Sequence, residues 1–411
     1  MNVQPISGRT RTRGRRSVLS AVLLGTVLTV TTACGGDGGS DADGKKAGGK
    51  TVPDGPSQAV VAIAVKDGAT EVRTSGALKV TAEKGSLTSV KVSDGKGRFV
   101  DGKISAGGAS WEPSIHLASG TKYTVDAIAK DKEGRESAKH ASFTTLTPQN
   151  TFAAYFTPED GSTVGVGMPV SLNFSRGITD PAAVERAVKV TAEPAVDIKP
   201  HWFGNDRLDF RPEKYWAAGT KVTLHLNLDG VQGRPGVYGK QNKTVKFTVG
   251  RSQVSTVDAK SHTMKVERDG KVVRTIPISA GAPANPTYNG RMVISEKYEV
   301  TRMNGDTVGF GGEYDIKDVP HAMRLSTSGT FIHGNYWSGS DTFGSANASH
   351  GCVGLEDRRG GGDPSAPGAW FFKNSLIGDV VVVKNSNDKT IQPGNGLNGW
   401  NMSWAEWTKS S

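Results

Sequence analysis

The sequence predicts a mainly β protein: two similar β-sandwich modules followed by a β-rich domain with few short helices. Three observations carry this expectation. From Ala59 onward the apolar residues fall in short runs closed by Gly, Asp and Ser turns, as in Val60–Val65, Leu78–Thr81 and Ser89–Val92. A pattern also recurs at a fixed interval. Trp111-Glu112-Pro113 with Gly120-Thr121-Lys122-Tyr123 returns 99 residues later as Phe210-Arg211-Pro212 with Gly219-Thr220-Lys221-Val222, the mark of a duplicated module one sandwich long. Finally, 53 glycines and a mean hydropathy of -0.39 suit turn-rich β structure better than a membrane bundle. At 411 residues the chain is too long for one ordinary domain.

The formal charge of +10 suggests an anionic partner, but half of it comes from Arg9, Arg11, Arg13, Arg15 and Arg16. Beyond these, no Lys/Arg stripe is interleaved with aromatics. No nucleic-acid partner is expected, and the charge supports at most an attraction to an anionic surface.

Residues 17–30 form an apolar run too short for a comfortable membrane span and right for a signal-peptide core, so 1–33 read as an export signal. The run ends in Thr31-Thr32-Ala33-Cys34-Gly35, which resembles the lipobox of bacterial lipoproteins, with Thr31 in place of the usual aliphatic residue. That resemblance implies cleavage before Cys34, lipidation of Cys34 and a membrane anchor on the outer face of the cell. Ordinary cleavage near Ala33 and a retained anchor are the alternatives. Arg15-Arg16 before Ser17-Val18-Leu19 also resembles a twin-arginine signal. Residues 34–55 are Gly, Asp, Lys and Ser with little to bury, a flexible tether.

Residues 56–146 and 150–249 are the two expected sandwiches, each immunoglobulin-sized. His116, His140, His201 and His225 are scattered among strands with no acid or cysteine at ligand spacing, so no metal site is expected there. Trp202, Tyr215 and Trp216 read as inter-domain packing rather than glycan binding, and the modules as spacers. In the third domain, 251–385, strands are expected at Val254–Val257, Thr263–Glu267, Lys271–Ile278 and Arg291–Tyr298, then an irregular stretch over 302–325. Trp370-Phe371-Phe372 reads as a short helix and Asp379–Val383 as a last buried strand. The tail, 386–411, carries Trp400, Trp404 and Trp407 and is too aromatic to float free.

The chemistry is expected at Phe331-Ile332-His333-Gly334 and, beginning sixteen residues after His333, Ser349-His350-Gly351-Cys352-Val353. Cysteine catalysis needs a thiolate, a base to make it and amides aimed at the developing oxyanion. Cys352 supplies the thiol on a glycine-relieved turn, and His333 comes from a β-rich run that can deliver an imidazole rigidly. A buried structural cysteine with two unrelated histidines is the alternative. Cys34, at the end of the export signal, is a poor disulfide partner, which leaves Cys352 as a solitary thiol.

The Ser-His-Gly-Cys cluster with its upstream His-Gly resembles the catalytic motif of the L,D-transpeptidases, cysteine enzymes that cross-link bacterial peptidoglycan. Thr163–Val170 resembles the immunoglobulin-like domain that precedes the catalytic domain in actinobacterial members, and the tail their C-terminal extension. The resemblance implies that Cys352 attacks the stem tetrapeptide, forming a thioester and releasing D-alanine. It implies that His333 is the base, with no metal or organic cofactor. Its second nitrogen should be held by a backbone carbonyl, that of Gly334, since the motif has no acid. Amides of His350, Gly351 and Cys352 are expected at the oxyanion, with Ser349 completing the turn. Tyr314, Ser328, Gly329 and Gly354 fall at substrate-contacting places, and 302–325 forms a flap, or simply a long loop. Gly354 stands where the motif commonly has asparagine, which removes a side-chain amide from the donor site. An L,D-carboxypeptidase using the same thioester and a non-catalytic wall-binding lipoprotein are the competing readings. Members of the family are acylated by carbapenems, which offers a direct probe.

Overall fold

A computed structural model describes residues 55–308 and 311–409. The export signal, most of the tether, Cys34, Gly309 and Phe310 lie outside the described residues.

Two sandwiches of one topology come first. In the first, strands Val60–Ile63, Val80–Glu83, Ser110–Pro113 and Gly102–Ile104 form one sheet in that order. Ala69–Val72, Glu136–Thr145, Lys122–Lys130 and Ser86–Asp94 form the other. In the second, Ala154–Thr157, Val170–Phe174, Arg207–Pro212 and Ile198–Phe203 correspond to the first sheet. Thr163–Val164, Asn242–Val249, Lys221–Asn227 and Val188–Glu193 correspond to the second. The repeated segments thus occupy the third strand of each sheet in both copies, and each second sheet opens on a parallel pair. Alternation explains the placement: Tyr123, Val125, Ala127 and Ala129 bury one face of their strand, as do Val222, Leu224 and Leu226 of theirs.

The third domain is a nine-stranded sheet. We label its strands β1 (Gln253–Asp258), β2 (Thr263–Arg268), β3 (Lys271–Ser279), β4 (Gly290–Val293), β5 (Glu296–Asn304), β6 (Asp315–Arg324), β7 (Phe331–Asn335), β8 (Val353–Glu356) and β9 (Val380–Lys384). Their order is β4-β9-β1-β2-β3-β8-β7-β6-β5. The single strand expected over Arg291–Tyr298 is therefore two, β4 and β5, which form opposite edges of the sheet. Ile294 donates to Asp379 O on one side and Ser295 to Arg324 O on the other, so two residues bridge the edges and the sheet curls closed. The stretch expected to be irregular is largely β5 and β6, an antiparallel pair shifted in register between Thr301 and Met303. Its alternation is hidden in sequence by Pro320 and by His321, whose φ is +52°. Helix α1 (Pro367–Asn374) buries Phe371 and Phe372 against the sheet.

The second sandwich and the third domain share a backbone-to-backbone junction. Gly165 donates to Ile377 O (2.7 Å) and Gly167 to Gly378 O (2.9 Å). A Cβ on Gly165 would lie 2.2 Å from Asp379 N, so only glycine allows this approach. Trp400, from the tail, donates to Gly167 O (2.7 Å) and closes the seam.

The tail is held by an unusual cation. Arg211 is buried, with its guanidinium 4.3 Å from the ring of Trp407, 4.7 Å from Trp400 and 5.4 Å from Trp404. It donates to the carbonyls of Pro212 and Met402 (3.1 Å each). Burial pushes its pKa down to about 10, which still leaves it charged at neutral pH. Trp407 donates to Lys199 O (3.0 Å), and a Ser403–Glu406 capping box starts the last helical turn.

Gly165→Ala is expected to cost about 1–3 kcal/mol, the range for overpacking against atoms that cannot yield. Calorimetry should show a lowered Tm; an unchanged Tm would mean that the seam adapts.

Candidate active site

Strands β7 and β8 run parallel, with Ile332 opposite Val353, His333 opposite Gly354 and Gly334 opposite Leu355. Ile332, Val353 and Leu355 are buried in the domain core, which locks the register from behind. Every residue of β7 is buried, and His333 sits mid-strand at 5% exposure. Its Nδ1 donates to Gly334 O (2.9 Å), so Nε2 carries the lone pair. Burial depresses its pKa, keeping the imidazole neutral near pH 7. The indole of Trp337 stacks on it at 5.6 Å and 16°.

The Cys352 turn is fastened on several sides. Ser349 Oγ donates to Cys352 O (2.6 Å) and accepts from Gly351 N–H (3.2 Å). Gly351 has φ +104°, which side-chain-bearing residues rarely adopt. Thr287 Oγ1 accepts from Gly281 N–H (2.9 Å) and donates to Cys352 O (3.4 Å). Upstream, Asn347 Oδ1 accepts from Ala280 N–H and from His262 Nδ1 (2.9 Å each). These bonds tie the turn to the end of β3. The Cys352 thiol donates to Gly329 O (3.6 Å), and burial pushes its pKa up to about 11. Thiol and imidazole therefore rest as a neutral pair.

A cavity of about 280 Å³ opens over the thiol, lined by Cys352, His333, His350, Ser349, Tyr314 and Trp337 among others. A second, of similar volume, lies between Tyr298, Arg302, Arg324, Gly329 and Phe331, and Tyr314 and Met303 wall both. Burial and the nearby Cys352 push the Tyr314 phenol up to about 12, so it stays neutral. Glu313, beside it, places Oε2 3.2 Å from His350 Nε2. Among the described residues no group of three His, Cys, Asp or Glu is placed to hold a metal ion.

Of the residues expected from sequence, the structure brings Cys352, His333, Ser349, His350 and Tyr314 around one cavity, with Gly334 behind the imidazole and the Gly329 carbonyl at the thiol. Three have fixed neighbours of their own. The Gly351 amide donates to Ser349 Oγ inside the turn (3.2 Å). Asn395 donates to the Ser328 hydroxyl (2.7 Å) and accepts from its amide (3.0 Å). Gly354 lies behind Asn335: a Cβ there would meet Asn335 Nδ2 at 3.3 Å. Asn335, absent from the sequence reading, accepts from Trp337 and Ser338 N–H (3.1 and 3.0 Å) and so holds the indole over His333. Neither Asn335 nor Trp337 carries a sequence signal, because their importance arises only when the chain turns after β7.

The L,D-transpeptidase catalytic domain family (YkuD) matches residues 252–383, and the bacterial Ig domain family (Big_10) residues 69–232. L,D-transpeptidase 2 of Mycobacterium tuberculosis (strain CDC 1551 / Oshkosh) is 32% identical over 401 residues, covering 97% of this chain and 96% of the relative. This chain belongs to the L,D-transpeptidase family. L,D-transpeptidase 5 of Mycobacterium tuberculosis (strain ATCC 25618 / H37Rv) is 31% identical over 322 residues, 75% of this chain and 68% of the relative. A solved structure of the L,D-transpeptidase LdtMt1 in complex with imipenem aligns at 28% identity over 58% of this chain and all of its own, with a TM-score of 0.47. In this L,D-transpeptidase the family's immunoglobulin-like and catalytic folds follow one another along a mainly β chain.

The neutral pair sets the pH response. Burial lowers the His333 pKa, so an NMR titration of its ring should show protonation only on acidification below pH 6.5. Iodoacetamide alkylation of Cys352 should keep rising with pH until about 11, where burial places its thiol. Alkylation that saturates near neutral pH would contradict a neutral resting thiol.

Proposed function

We propose that Cys352 is the nucleophile and His333 the general base of a peptidoglycan L,D-transpeptidase. The supporting observation is that the Cys352 thiol and the His333 imidazole line one cavity, with the imidazole Nδ1 fixed by Gly334 O. The thiol proton passes to His333 Nε2 as sulfur attacks the carbonyl before the terminal D-alanine of a stem tetrapeptide. The amides of His350, Gly351 and Cys352 are the oxyanion donors of this reading. Collapse of the adduct breaks the peptide bond, and D-alanine leaves with the proton held on His333. The thioester then passes to an amine of a neighbouring stem, joining the two, and the thiol is restored. Tyr314 and its neighbours 311–313, the short lid before β6, cover the site during transfer and limit access of water. The sandwiches space this chemistry from an anchor: we read 1–33 as a lipoprotein export signal and Cys34 as lipidated, so that the enzyme faces the wall from the outer side of the membrane.

Intact-mass spectrometry of the soluble region with a carbapenem, and separately with a tetrapeptide stem, tests the chemistry. Wild type is expected to gain a covalent adduct and to release D-alanine, and Cys352→Ala to do neither. Acylation that survives Cys352→Ala would sink the assignment. Cross-linked dimer among the products identifies a transferase, and trimmed tripeptide alone the hydrolase reading. For the anchor, Cys34→Ala should move the full chain from the detergent phase to the aqueous phase on detergent partitioning of cell extracts; unchanged partitioning would remove lipidation.

A further inference from the structure

We propose that Glu313, on the lid, works with His350 to hold the cationic amine acceptor of the second step and to take up its proton. This rests on the transpeptidase reading above and names a residue for its second half. The two halves of the reaction have different electrostatic needs. The first joins a thiol, an imidazole and an amide, and among the described residues no Asp, Glu, Lys or Arg side chain lines the cavity where it occurs. The second needs an amine that is protonated at neutral pH, as a lysine-like ammonium is. It must be drawn to the thioester and must lose a proton before nitrogen can attack.

His333 is buried and its Nε2 serves to pass the remaining amine proton to sulfur, so a second group nearer the rim suits the first deprotonation. The Glu313–His350 pair is better placed. His350 lines the cavity beside Cys352, its ring 5.1 Å from Tyr314, and its Nε2 lies 3.2 Å from Glu313 Oε2. Two acids close to the cavity are already paired with arginines. Asp315 is held by Arg302 and Glu296 by Arg324, whereas Glu313 meets a histidine. Its side chain is 57% exposed, and a carboxylate has room for more than one donor, so an ammonium arriving from solvent meets it at the rim.

The protons balance as follows. The ammonium gives one proton to His350, which becomes an imidazolium facing the Glu313 carboxylate. The freed lone pair forms the C–N bond, the C–S bond breaks, and the remaining amine proton reaches the Cys352 sulfur through His333. His350 then returns its proton to water. Water as a competing nucleophile carries no charge and gains nothing from Glu313, so the carboxylate favours transfer over hydrolysis.

The test reads the partition of one acyl-enzyme, generated in turnover from a tetrapeptide stem, between amide product and tripeptide acid. The acceptors are Nα-acetyl-lysine amide, which is cationic, and hydroxylamine, which is uncharged near neutral pH. Glu313→Gln is expected to lower the amide-to-acid ratio about fivefold for the cationic acceptor, the scale of one partly exposed ion pair, and to leave the hydroxylamine ratio unchanged. Glu313→Asp should restore most of the loss, and high salt should shrink it. Equal losses for both acceptors would assign Glu313 to lid closure alone and overturn the proposal, as would no change for either. Failure of the wild type to form any acyl-enzyme would instead overturn the transpeptidase reading, and this inference with it.

Discussion

The parallel register of β7 on β8 is the constraint from which the site follows. Pairing Ile332 with Val353 places the residue before β8, Cys352, at the mouth of the cavity while His333 points into it from mid-strand. Because side chains alternate, a slip of one residue would send His333 into the core and bring Ile332 to the thiol. The apolar residues behind the pair make such a slip costly, so catalytic geometry is a by-product of core packing. Parallel neighbours also need a connection of a dozen or more residues. Here that connection carries Trp337 at its start and the Ser349 turn at its end, so one crossover supplies both the shield on the imidazole and the seat of the thiol.

Electrostatically the site is quiet at rest. Oxidants attack thiolates far faster than thiols, and a thiol raised to about 11 holds almost no thiolate at neutral pH. For an enzyme that works outside the reducing cytoplasm, with no second described cysteine to form a bridge, this is protective. The same burial that disfavours the thiolate disfavours the imidazolium of His333, so one environment sets the resting state of both groups.

The sequence was most legible where chemistry or repetition concentrates in short segments. Cys352 and His333 stood out because few residue types do this work, and the 99-residue repeat exposed the duplicated sandwich because both copies need the same buried strands. What stayed hidden depends on residues far apart in the chain. Arg211 sits in the strand position that Glu112 occupies in the first copy, where Glu112 is exposed and pairs with Lys79. Nothing local says that Arg211 is covered by tryptophans from the tail, almost two hundred residues later. The β4–β5 break was missed because Arg291–Tyr298 reads as one extended run, and only closure of the sheet demands two edges there. Ser328, Gly351 and Gly354 were placed by motif, which fixes their position along the chain but not which way their groups face.

The order of strands in the catalytic sheet has a consequence for the timing of assembly. β9 lies between β4 and β1, although it is made after both and after the thiol-bearing turn. Until residues 380–384 leave the machinery that synthesises or exports the chain, β1 and β4 have no partner between them and the curled sheet stays open. The Cys352 thiol, made earlier in the chain, is thus held in an unfinished frame. The frame closes when the last strand is inserted, so a partly emerged chain carries the thiol without the finished pocket.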